Sequence, residues 1–183
     1  MDLKENLSNF LQQSINESFS TTVNITPQLT ESFPNLEESC LIASIGFTGS
    51  IEGTFSISLP DSSACKIVSR MINAEIAKVD NDVVDGIAEQ INMIAGGVKM
   101  KMKETEDDFD ISIPTIILGN RMVVLTEFGN TTKISQNYQN DGIIFSVTVV
   151  YKKKVDQEQL KKQKEQATLN AINMLKNASS NKT

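Results

Sequence analysis

The sequence predicts an α+β fold, with helices packed on one face of a mainly antiparallel curved sheet. Two observations predict its elements. Apolar residues recur at helical spacing near the N-terminus, after Pro60 and across 82–101. Short runs rich in Val, Ile, Phe and Thr, separated by Gly and Asn-Asp-Gly turns, fill 40–59 and 111–152. A third observation sets the class: the two kinds of segment do not alternate as βαβ units, which argues against a doubly wound parallel sheet.

The first helix rests on Leu3, Leu7, Phe10, Leu11 and Phe19, with Pro27 beyond its end. Residues 28–38 read as a polar connection. "CLIASIGFTGSIEGTFSISL" gives two strands, with Gly49-Ser50 and Gly53 marking a hairpin and a candidate bulge. "PDSSACKIVSRMIN" opens a second helix with Asp61 as N-cap and Ala64, Ile67, Val68 and Met71 inward. A third helix runs from about Asp82 to Lys101. "KETEDDFD" reads as an acidic loop, followed by the strands "ISIPTIIL", "RMVVLTEF", "TTKISQNY" and "GIIFSVTVVY". Composition then shifts to Lys and Gln. A domain over 1–152 and a charged helical tail over 153–183, disordered at its end, are therefore predicted.

Composition excludes several functions. The 183 residues carry a net charge of −6 with no long basic and aromatic cluster, so no nucleic-acid partner is expected. No apolar run has the length of a membrane span and the polar start is no signal peptide, so a cytoplasmic protein is expected. Cys40 and Cys65 lie apart in apolar contexts and read as core thiols. The chain has no histidine. That removes Ser-His-Asp and Cys-His catalysis and nearly all zinc sites, so no metal site is expected.

The stretch "DGIAEQINMIAGGVKM" concentrates the chemistry. Val84, Ile87, Ile91, Ile94 and Val98 form its core stripe, at about 100° per residue. Asp85, Glu89, Asn92 and Gly96 form a polar ridge on the opposite side, with Glu89 and Asn92 roughly 60° apart. Gly96 and Gly97 each cost on the order of 1 kcal/mol inside a helix. Two readings of them stand: a helix C-terminus, or room for another backbone beside Glu89 and Asn92. Chance alone supplies about one Glu-x-x-Asn spacing in a chain of this composition. A second one, Glu127 to Asn130, contains Gly129 and reads as turn chemistry.

"AEQINMIAGGVKMKM" resembles the signature helix of the CheX/CheC/FliY chemotaxis phosphatases, where Glu-x-x-Asn precedes Met-Ile-Ala-Gly. "GFTGSIEGTFSISLP" resembles that family's Gly-rich hairpin, "SACKIVSRMI" the helix after it, and "ISIPTIILGN" a later strand. One Glu-x-x-Asn helix, rather than two, is the CheX-like pattern. The resemblance covers about residues 3–152 and implies a CheC-like fold. It also implies hydrolysis of the phospho-aspartate of a CheY-like response regulator, which supplies its own Mg²⁺ while the chain needs no cofactor. Carried over, Asn92 positions the attacking water and Glu89 engages the regulator's lysine. From the ridge geometry, Asp85 and Gly96 are added as partner-binding positions. The resemblance further implies a homodimer built by pairing sheets across chains. The competing reading is a non-catalytic adaptor for receiver domains or the flagellar switch.

Overall fold

The computed structural model describes residues 2–122 and 129–154. Its elements in chain order are α1 (Leu3–Thr22), β1 (Gln28–Thr30), β2 (Ser39–Gly49), β3 (Ile51–Pro60), α2 (Asp61–Ile72), α3 (Asn81–Met102), β4 (Phe109–Ile111), β5 (Thr115–Asn120), β6 (Thr132–Asn140) and β7 (Ile143–Lys153). The chain divides into Met1–Lys152 and Lys153–Thr183. The predicted tail lies outside the described residues apart from Lys153 and Lys154, as does most of "RMVVLTEF".

The strands join in one sheet in the order β1-β6-β7-β3-β2-β4, and β5 also pairs with β2. The hairpins β2–β3 and β6–β7, and the pairings of β1 with β6 and of β4 and β5 with β2, are antiparallel. Alternation sorts the two faces. On β7, Ile143, Phe145, Val147, Val149 and Tyr151 are buried, whereas the residues between them are only half-buried. On β2 and β3, Leu41, Ala43, Ile45, Phe47, Phe55, Ile57 and Leu59 join the same core as the apolar faces of the three helices. The opposite face carries hydroxyls that pair across strands, Ser44 with Ser56 at 2.9 Å and Ser135 with Thr148 at 3.1 Å. Two aromatic groups fill the core. Phe19 of α1 stacks on Phe145, which also stacks with Tyr138. Phe47, Phe55 and Phe109 form the other.

Several expectations are corrected by long-range contacts. The connection 28–38 contains β1, because Gln28–Thr30 find backbone partners in β6. The acidic loop ends in a strand: Phe109 is buried, and 109–111 pair with 47–49 of β2. Ser112 to Pro114 then interrupt the pairing before β5 continues along the same edge. Gly53 marks no bulge, since it pairs in regular register with Phe47. A Cβ there would stand 2.0 Å from the Val150 carbonyl oxygen, so the glycine lets β7 come close. Pro60, not Asp61, is the N-cap of α2, and Asp61 instead accepts a hydrogen bond from Ser39 at 2.5 Å. Both cysteines are free and buried.

Candidate functional site

The stripe that seats α3 consists of Val83, Ile87, Ile91, Ile94, Ala95, Val98 and Met102, all buried. Val84 lies at the edge of this arc and is only half-buried; Val83 takes the place expected for it. Each large apolar side chain contributes about 1.5–3 kcal/mol by leaving water. Asp80 caps the helix, its carboxylate accepting from the Val83 amide at 3.1 Å. Lys99 and Lys101 sit in the last turn, where the helix dipole favours cations. They tie that end to its neighbours, Lys99 to Asp110 at 2.6 Å and Lys101 to Glu17 at 2.5 Å. The Lys99 ammonium holds the exposed Asp110 carboxyl below the usual carboxylate range.

Because α3 runs on to Met102, Gly96 and Gly97 lie inside the helix and do not end it. The two have different surroundings. A Cβ on Gly97 would lie 2.9 Å from the Ser14 hydroxyl and 3.0 Å from its Cβ, so Gly97 lets α1 and α3 pack closely. A Cβ on Gly96 would meet nothing within 4 Å. Among the described residues nothing in the packing therefore requires glycine at 96. Gly96→Ala is expected to stabilise the isolated chain by about 0.5–1 kcal/mol, through helix propensity alone. Thermal unfolding would show this as a rise of roughly 1–4 °C.

The same exposed arc carries the other ridge residues. Asp85 and Glu89 are exposed and Asn92 is half-buried. Asp85 opens the second turn of α3. Among the described residues, neither Glu89 nor Asn92 spends its side chain on a hydrogen bond or ion pair. Beside them stand Met93, half-buried, and Met100, 73% exposed. Glu89, Met93, Gly96 and Met100 follow one another at helical spacing, so an acid, two thioethers and a bare backbone position adjoin. A neutral amide and a carboxylate one turn apart can orient a water and meet a cation. Among the described residues no group of three or more His, Cys, Asp or Glu gathers to hold a metal ion, and no helix is long and apolar enough to cross a membrane.

One polar residue of this helix is buried. Gln90, between Glu89 and Asn92, is fully buried. Its Nε2 donates to the Ser18 hydroxyl at 2.9 Å, and its Oε1 accepts from the Thr22 hydroxyl at 2.8 Å. The available signal was its angular position, at the border of the core stripe and on the side facing α1.

Among the described residues, three helices lie on one face of an open, mainly antiparallel sheet, a fold shared with solved CheC-like proteins. The chain belongs to the chemotaxis phosphatase CheX family, whose model matches residues 41–137, more than half of its length. A CheY-P phosphatase CheX from Thermotoga maritima is 35% identical over 95 residues, 51% of this chain and 61% of that protein. The match thus spans less than two thirds of that relative. Among solved structures, a CheC-like superfamily protein from Shewanella sp. PV-4 superposes with a TM-score of 0.73 at 19% identity, covering 83% of this chain and 99% of its own. A CheX–CheY–BeF3–Mg²⁺ complex from Borrelia burgdorferi gives 0.62 at 19% identity, covering 79% and 97%.

Proposed function

We propose that this chain accelerates hydrolysis of the phospho-aspartate of a CheY-like response regulator. The observation that carries this reading is the unspent pair: Glu89 and Asn92 face outward on one helix with no partner among the described residues. A pair this close to a glycine with open space above it is suited to a partner's approach. The relative named as a CheY-P phosphatase and the solved CheX–CheY complex support the same partner class.

The chemistry asks little of the chain. Phosphoryl transfer through a loose transition state depends on positioning and charge stabilisation rather than on a strong base. Asn92 can accept a hydrogen bond from a water and donate one to a phosphoryl oxygen, which holds the water in line with the scissile bond. The new bond joins water oxygen to phosphorus. The bond to the aspartyl oxygen breaks, aspartate departs as a carboxylate, and the water's two protons end on inorganic phosphate, which exchanges one with solvent. Glu89 pairs with the regulator's lysine and sets the depth of docking. Asp85 adds negative field towards the same cation, while Met93, Gly96 and Met100 receive the apolar part of the partner. The Mg²⁺ belongs to the regulator, as its presence in the CheX–CheY complex supports. From this proposed partner we infer a cytoplasmic location for the chain.

We assign the homodimer to the β5 edge. Among the described residues β5 pairs with β2 on one side only. It presents Ile117, 49% exposed, and Leu118, 53% exposed, with Ile113, 84% exposed, just before it. An apolar free edge of this kind pairs readily with a second copy. Light scattering is expected to report a dimer, and Ile117→Lys with Leu118→Lys to return it to a monomer.

Decay of a phosphorylated receiver domain, followed with and without the chain, tests the function. Faster decay is expected. Binding of the phosphorylated receiver without faster decay would instead favour the adaptor.

A further inference from the structure

Glu89 and Asn92 have no side-chain partner among the described residues, so their placement depends on the backbone of α3 alone. Apolar contacts hold that backbone at its height above the sheet through Ile87, Ile91 and Ile94. Such contacts are non-directional and tolerate small rolls and slides of a helix. Two glycines follow Asn92 within little more than a turn and weaken the helix there. A directional restraint is found at one point of this turn. The buried Gln90 amide bonds to Ser18 and Thr22 of α1, residues 72 and 68 positions away in the chain. Ser18 is itself buried. The single Thr22 hydroxyl proton is shared between Gln90 Oε1 at 2.8 Å and the Ser18 carbonyl oxygen at 2.9 Å.

We propose that Gln90 is a positioning residue for Asn92, fixing the roll and axial setting of α3 against α1; this rests on the phosphatase reading above. A water held even about 1 Å out of line can cost on the order of 100-fold in rate. Gln90 acts through the helix and touches neither water nor phosphoryl group.

The test compares the full chain with Gln90→Leu and with the triple variant Gln90→Leu, Ser18→Ala, Thr22→Val, acting on a receiver domain phosphorylated by acetyl phosphate. The triple variant replaces every polar partner with apolar groups of similar volume, so its stability is expected near that of the original chain. Both variants are expected to lose about tenfold in kcat, with KM for the phosphorylated receiver changed less than about twofold. A merely structural role predicts that kcat recovers together with thermal stability in the triple variant, and that outcome would overturn the proposal. If the triple variant does not fold, Ser18→Ala alone deletes one bond and is expected to show the same kcat loss at unchanged KM; an unchanged kcat would overturn it. If the original chain itself gives no acceleration, the phosphatase reading fails. Backbone ¹⁵N relaxation at residues 89–92 then decides the positioning claim. Reduced order in the triple variant supports it, and unchanged order overturns it.

Discussion

Asn92→Ala is expected to lower the accelerated rate of regulator dephosphorylation by about 100-fold, or ~2.7 kcal/mol of transition-state stabilisation. The size follows from what the amide does. In the proposed mechanism it holds a water that otherwise reaches phosphorus in random orientation, and it donates to an oxygen whose charge changes as the bond breaks. Alanine does neither. Folding should be untouched, because the Asn92 side chain makes no hydrogen bond among the described residues and alanine is the better helix former. Asn92→Asp provides a sharper control: it keeps the shape, loses the donor and adds a negative charge beside a phosphoryl group. Its rate should fall at least as far. Circular dichroism on each variant, with the decay of labelled receiver, separates loss of chemistry from loss of fold.

Glu89→Lys is expected to weaken docking on the phosphorylated regulator by about 100-fold or more. In the proposed complex a carboxylate that faces the partner's lysine becomes an ammonium, and like charges brought together at an interface cost several kcal/mol. Glu89→Gln removes the attraction without adding repulsion and should cost roughly tenfold. Titration against a beryllofluoride-loaded receiver measures both. Since Glu89 is exposed and unpaired among the described residues, neither change should move the isolated chain's stability beyond about 0.5 kcal/mol. The loss with lysine should shrink as salt is added, because screening weakens repulsion as it weakens attraction. A Glu89→Lys chain that docks as well as the original would remove the ridge from the interface.

Much of this architecture is legible in the chain, and the failures have physical causes. Period-3.6 stripes and alternating Val, Ile and Phe are local signals, so α2, α3, β2, β3, β6 and β7 can be read within a residue or two of their observed ends. α1 can be read by its stripe from Leu3 to Phe19, which stops short of its end at Thr22. β1 cannot, because Gln28–Thr30 are a strand only through partners in β6, more than a hundred residues away. The break at Ser112–Pro114 is likewise set by how the chain runs along β2. At the start of α3, Val83 and Val84 lie equally close to the stripe by periodicity, and the fold buries Val83.

At the site, Glu89 and Asn92 are legible from helical geometry, and the open space over Gly96 agrees with its place on the ridge. Gly97 has a different cause, visible only when Ser14 of α1 stands beneath it. Gln90 is the clearest omission. A polar residue beside a stripe reads as surface until the two hydroxyls that bury it, Ser18 and Thr22, are brought across from another helix.

A catalyst of phospho-aspartate hydrolysis turns over, whereas a binder of receivers does not. The most direct measurement is phosphate release from an excess of phosphorylated cognate receiver with Mg²⁺, at one molecule of chain to about a hundred of receiver. The expected result is many phosphates released per chain at a rate above the receiver's own decay, lost in Asn92→Ala. Release that never exceeds the receiver's own decay, with binding intact, would contradict catalysis.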